Sequence, residues 1–217
     1  LSQELSAWSS QLLNSQEALN ACIEKLLYLP QGGTAIGTGI NAHPRFAKEF
    51  SKEVSKIRSN CKAKPSKNFF NSLSAQDVSV QLSGELKNLS VVLMKISNDL
   101  RWMNSGPLAG LGEIELQALQ PGSSIMPGKV NPVIPEAVAM VCADVMGNDV
   151  SVTVGAQSGN FQLNVMLPVI AYNVLKSVNM LAGAMKVLGP KAIKTFKINN
   201  ENIKASLDKN PILVTAL

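Results

Sequence analysis

An all-α, long-helix bundle is the fold this sequence predicts, and three observations predict it. Apolar residues recur at alternating steps of about three and four from Leu5 to Leu29 and again from Val78 to Met103, the spacing of one face of a helix. No segment shows the strict period-two alternation of a half-buried strand. Turn-forming residues gather in two long irregular stretches, 59–74 and 104–130, and do not punctuate the chain every few residues.

The first helix carries Leu5, Trp8, Leu12, Leu19, Cys22 and Leu26 at helical spacing, with Leu29 after them, and Pro30 ends or kinks it. A shorter helix follows His43-Pro44, marked by Phe46, Phe50, Val54 and Ile57. The spacing next predicts a helix from about Ala75 to Met103, with Leu82, Leu86, Leu89, Leu93, Ile96, Leu100 and Met103 forming a near-heptad seam. At roughly 1.5 Å per residue such a helix exceeds ~40 Å and must bury its stripe against other long helices. Ser74 reads as its N-cap, with Asp77 in the first turn. Asn98, Asp99 and Arg101 are polar residues within this helix and predict a buried ion-pair or hydrogen-bond network. Asn131-Pro132 starts another helix, Pro132 lying in its first turn, and Val138, Val141, Val145 and Val152 extend it. Asn148, Asp149, Asn160 and Asn164 must find partners there, in this chain or in another. A last long helix, about Asn160 to Val187, contains Pro168, which predicts a kink.

With 217 residues the chain could form one large domain or a small pair. The formal charge of +5 suits an anionic substrate in sign, but Lys and Arg are scattered and exclude the basic run expected of a nucleic-acid binder. Lys62, Lys64 and Lys67, and the lysines from Lys186 to Lys204, read as solvated faces. No run of eighteen apolar residues marks a membrane span. Cys22, Cys61 and Cys142 fit no zinc or redox spacing and read as buried thiols of a reducing compartment. No metal-ligating cluster appears, so no metal or other cofactor is expected. The glycines between Gly32 and Gly39 lack the preceding strand and following lysine of a phosphate loop; close helix packing explains them better. Leu1-Ser-Gln-Glu4 is neither a start methionine nor a signal peptide, and the expectation is a piece of a longer protein.

Chemistry concentrates in Gly122-Ser-Ser-Ile-Met-Pro-Gly-Lys-Val-Asn-Pro132. The run sets two hydroxyls, an ammonium and a carboxamide among glycines directly before a helix, donors suited to a carboxylate whose neighbouring carbon loses a proton. A turn-rich linker would have the same composition.

This run resembles the signature loop of the fumarase/aspartase superfamily. Gln31–Asn41 (QGGTAIGTGIN), Lys95–Arg101 (KISNDLR), Ser105-Gly-Pro107 and Val145–Asp149 (VMGND) resemble further landmarks, in the family order. Gln157–Asn164 (QSGNFQLN) and Ile212–Leu217 (ILVTAL) are similar to the class II fumarase branch; Val133-Ile-Pro-Glu136 is shared with the aspartases. The resemblance implies the central helical-bundle domain, residues 1–217, with a signature loop at about 104–130, the family's N-terminal and C-terminal domains being absent. It implies a homotetramer with active sites shared between subunits, a malate/fumarate dicarboxylate substrate, no nucleic acid or membrane partner, and a cytoplasmic setting, or the mitochondrial matrix in a eukaryote.

By the same resemblance Ser123 is the catalytic base, acting as an oxyanion stabilised by backbone N–H groups and a cation. Ser124, Lys129, Val130 and Asn131 fall on substrate-binding positions, and Glu136 partners the family's catalytic histidine. Plainer readings stand beside these: a turn hydroxyl for Ser124, a solvated lysine for Lys129, an N-cap for Asn131 and a dipole-favoured acid for Glu136. The family's histidine lies upstream of Leu1. His43 is the one histidine in the chain, at a helix start and expected to be exposed or structural. The chain alone is therefore expected to be inactive. Aspartate ammonia-lyase and a non-catalytic helical assembly module are the alternatives.

Overall fold

The structure is a computed structural model that describes residues 1–57, 61–106, 108–122, 125–126 and 128–211. Its α-helices are α1 Ser2–Leu26, α2 Phe46–Ile57, α3 Phe69–Ser74, α4 Asp77–Met103, α5 Val133–Gln157, α6 Leu167–Leu188 and α7 Asn200–Asp208. Strand structure among the described residues is limited to two-residue ladders. β1 (Tyr28–Leu29) runs parallel to β2 (Lys64–Pro65), and β3 (Ile114–Glu115) antiparallel to β4 (Lys197–Ile198). The expected all-α architecture of long helices is what the chain adopts. Two compact units compose it, Leu1–Ser90 with Asp144–Asn179 and Val91–Ala143 with Met180–Leu217.

In the first unit α1 buries Trp8, Ser15 and Cys22. Their heptad spacing gives a narrower seam than the predicted stripe, whose Leu26 remains exposed. In α2 the rings of Phe46 and Phe50 stack with centroids 5.9 Å apart. Gly33 lets its loop lie against α3: a Cβ there would sit 2.8 Å from Phe69 Cβ, closer than carbon atoms tolerate. Close packing is thus the physical reason for this glycine. Asn148, Asp149, Asn160 and Asn164 find partners inside the chain. Lys87 Nζ lies 2.5 Å from Asp149 Oδ2, and Asn148 Nδ2 donates to Ser177 Oγ at 3.1 Å. Lys176 Nζ donates to Asp144 Oδ1 at 3.1 Å. Asn164 Nδ2 donates to Gly155 O at 3.0 Å, while Asn160 is exposed and donates to Ser158 O at 3.3 Å.

Four local expectations are corrected. Ser74 does not cap α4; it is the last residue of α3, and its hydroxyl donates to the Phe161 carbonyl. The 59–74 stretch holds that short helix, because Asn68 Oδ1 accepts from Asn71 N at 3.3 Å and caps it. The predicted helix from Asn160 begins only at Leu167, so Pro168 falls in the first turn of α6, where a missing N–H costs nothing. The intervening segment is a tight turn: Asn160 N donates to Leu163 O at 2.8 Å and Leu163 N returns a bond at 3.1 Å. Finally, Cys22 and Cys142 are buried, but Cys61 is only partly so.

In the second unit α4 buries Leu93, Ile96, Leu100 and Met103, α5 buries Val138 and Cys142, and α6 buries Leu181, Ala184 and Leu188. Burial of each large aliphatic side chain contributes about 1.5–3 kcal/mol. α5, which contributes residues to both units, is long and apolar enough by composition to cross a bilayer, with a hydropathy of 1.4 over its most apolar stretch. The sequence alone did not mark it, because Glu136, Asp144 and Asp149 interrupt its apolar residues.

Candidate active site

The second unit holds an open cleft of about 430 Å³ where the end of α4, the loop after it and the start of α5 converge. α4 stops at Met103, and the chain turns back on it. Ser105 Oγ donates to Trp102 O at 2.6 Å and accepts from Leu111 N at 2.9 Å. Glu113 N donates to Met103 O at 2.8 Å, and Asn104 Oδ1 accepts from Leu116 N at 2.7 Å. These bonds replace the helix's missing partners. They hold Asn104, Ser105 and Gly106 as one wall of the cleft.

The facing wall comes from the signature run. Gly122 and Lys129 lie close, since a Cβ on Gly122 would come within 2.8 Å of the Lys129 carbonyl oxygen. The backbone leads through Lys129, Val130 and Pro132 along the cleft to Glu136 in the first turn of α5. Val133 N donates to Asn131 O at 2.9 Å, a tight turn that starts the helix at Val133. Pro132 therefore precedes α5, one residue from the expected position. Asn131 is half-buried between two residues of the cleft, and its side chain makes no capping bond among the described residues.

Of the six expected site residues, Lys129, Val130 and Glu136 meet in this cleft and Asn131 flanks it. Ser123 and Ser124 lie outside the described residues. His43 is exposed, does not line the cleft, and its Nδ1 accepts from Arg45 N at 3.2 Å. Asn98 and Arg101 correct the expected buried network. Both line the cleft, Arg101 is exposed, and Arg101 Nη1 donates to Asn98 Oδ1 at 3.2 Å. Lys95 and Asp99 form an (i, i+4) ion pair on the same helix. Sequence reasoning missed the two because spacing of three marks a shared helix face but not what lies opposite it.

Electrostatically the cleft sets two cations, Lys129 and Arg101, against the single carboxylate of Glu136. Among the described residues neither cation is ion-paired. An excess of positive charge in a small polar cleft suits a small anion. No group of three or more His, Cys, Asp or Glu side chains converges among the described residues.

Comparison with known proteins gives a consistent result. A family model described as "Lyase" matches residues 1–147. The chain is 56% identical, over 217 residues, to fumarate hydratase class II 2 of Pseudomonas aeruginosa, covering 100% of this chain and 47% of that relative. It is 55% identical to fumarate hydratase class II of Xylella fastidiosa, over 99% of this chain and 45% of that one. Among solved structures, the class II fumarase of Schistosoma mansoni superimposes with a TM-score of 0.92 at 34% identity, covering 99% of this chain and 48% of that one. The fumarate lyase:delta crystallin of Brucella melitensis bound to cobalt gives 0.95 at 43% identity, over 100% and 47%. The chain spans about half the length of the curated relatives it matches.

Proposed function

Because the chain belongs to this lyase family, we propose that it carries the signature-loop part of a fumarate hydratase site, for reversible dehydration of L-malate to fumarate. The observation that carries the reading is the meeting of Lys129, Val130 and Glu136 in one cationic cleft, on a chain so similar to class II fumarate hydratases.

Malate dehydration takes a proton from carbon 3 and expels hydroxide from carbon 2. The carbon acid is weak, so the adjacent carboxylate must hold the charge as an aci-carboxylate, and fixed donors and a cation lower that barrier. Ser123 takes the proton. Ser124, Lys129 and Asn131 bind and orient the substrate, and the Val130 backbone lines its path. Glu136 charges and orients a histidine that this chain does not supply. The protein works as a homotetramer whose sites are shared between subunits, in the cytoplasm or the mitochondrial matrix, and the 217-residue chain alone is inactive.

The test is turnover by the intact gene product, offered L-malate and L-aspartate in parallel and followed by fumarate absorbance. Fumarate from malate alone is the expected result. Fumarate from aspartate would move the chain to the ammonia-lyases, and silence with both would overturn the reading.

A further inference from the structure

A polar groove in the first unit shares no lining residue with the cleft. It consists of two adjoining hollows of about 320 and 290 Å³, lined by the end of α1, the β1–β2 ladder, α3 and the first turn of α4. Lys64 and Lys67, which the sequence alone marks as solvated, both close on the ring of Tyr28. Their Nζ atoms lie 5.6 and 5.8 Å from its centroid, within reach of a cation–π contact. Lys25 lines both hollows, and its Nζ donates to Gln81 Oε1 at 2.7 Å. That neutral partner fixes the ammonium without cancelling its charge. Among the described residues none of the three lysines is ion-paired. The one carboxylate among the described lining residues is Asp77, in the first turn of α4, so three ammoniums meet a single acid.

Lysines laid over a tyrosine are by themselves an ordinary solvated surface. Unused donors in the same groove distinguish this one. Ser72 lines it, and Ser72 Oγ is buried with no hydrogen-bond partner among the described residues. Such a hydroxyl calls for a partner that the folded chain does not supply. Asn68 gives its Oδ1 to Asn71 N as the cap of α3, which leaves its Nδ2 as a donor. We propose that this groove binds a compact anion of two linked phosphates, held by Lys25, Lys64 and Lys67 and by the donors of Ser72 and Asn68. Lysine serves phosphate as a point charge. Three ammoniums on three separate segments suit an anion charged at both ends. The assignment is independent of the fumarate hydratase reading, since the two sites have no residue in common.

The probe is inorganic pyrophosphate, titrated calorimetrically into the intact gene product at fixed ionic strength. One saturable site per chain is expected, with orthophosphate binding more weakly. Lys64→Met and Lys67→Met should each weaken pyrophosphate roughly 10- to 100-fold, the loss of a hydrogen bond to a charged group. Ser72→Ala should weaken it too, yet raise the melting temperature of the ligand-free protein, because an unpaired buried hydroxyl is removed. Lys52→Met, on α2 where the lysine pairs with Glu49, should leave pyrophosphate affinity unchanged. Equal weakening by Lys52→Met would show a diffuse charge effect. Binding lost in Lys129→Met but kept in Lys64→Met and Lys67→Met would put the anion in the cleft. Absence of saturable binding would show a solvated surface. Each of these three results overturns the assignment.

Discussion

Lys87 on α4 and Asp149 on α5 are joined by an ion pair, Nζ to Oδ2, of 2.5 Å. The partners are unequal: the lysine side chain is 48% exposed and the aspartate 9%. A buried carboxylate that loses its cation keeps its desolvation penalty. Lys87→Met is therefore expected to destabilise the fold by about 1–3 kcal/mol, a range held below the fully buried case because water reaches the lysine. Adding Asp149→Asn to it should restore part of the loss. Denaturant unfolding of the two single variants and the double variant checks both statements.

Gly33 tolerates no side chain. The Cβ of Gly33→Ala would stand 2.8 Å from Phe69 Cβ and 3.1 Å from its Cγ, so α3 or the loop must shift. The expected cost is about 1–3 kcal/mol. The same change at Gly84, where nothing lies within 4 Å, should stabilise by up to about 1 kcal/mol, since alanine is the better helix former. A thermal melt of the pair gives opposite signs if packing is the cause.

The thiols should report burial through pH. Burial pushes Cys142 up to about 11 from an ordinary 9.0. Cys22 is raised too, by burial first and then by the charge of Glu85. Between pH 9 and 11 the folded state keeps a proton on Cys142 that the unfolded chain has released, so stability falls as pH rises through that window. Lys176, raised by its hydrogen bond to Asp144, adds a loss in the same direction as pH climbs above its unfolded value. In native buffer at pH 8, Cys61 should label first with a thiol reagent, and Cys22 and Cys142 only on unfolding.

If the proposed chemistry holds, Lys129→Met should lower kcat/KM for malate by roughly 10²–10³-fold, the usual loss on removing a charge-stabilising donor. Glu136→Gln should act chiefly on kcat, since it keeps shape and removes charge. Circular dichroism that stays unchanged in both variants separates chemistry from misfolding.

Much of this architecture was legible because α4 writes its burial in its spacing. Leu86, Leu89, Leu93, Ile96, Leu100 and Met103 were all expected in the seam and all are buried. In α1 the same reading overreached, since leucines at helical spacing say nothing about how wide a neighbour is. Trp8, Ser15 and Cys22 carry that contact. The turn at Asn160–Leu163 escaped notice because its geometry rests on Phe161 at φ 52°, a conformation that a bulky residue rarely adopts. Of the cleft, the motif disclosed Lys129, Val130 and Glu136. Asn98 and Arg101 stayed hidden because the wall opposite them is a loop with no period to read.

The loop that forms one wall of the cleft is moored far along the chain. Ile114 and Glu115 pair with Ile198 and Lys197, and Asn202 Nδ2 donates to Gly112 O at 3.1 Å across 90 residues of sequence. Contacts so distant close large loops and pay their entropy before they gain anything. The long helices can therefore form early from local contacts, while the cleft gains its shape late. During refolding, helicity should return well before any ligand is recognised, and the lag between the two measures how long the chain is structured yet chemically blind.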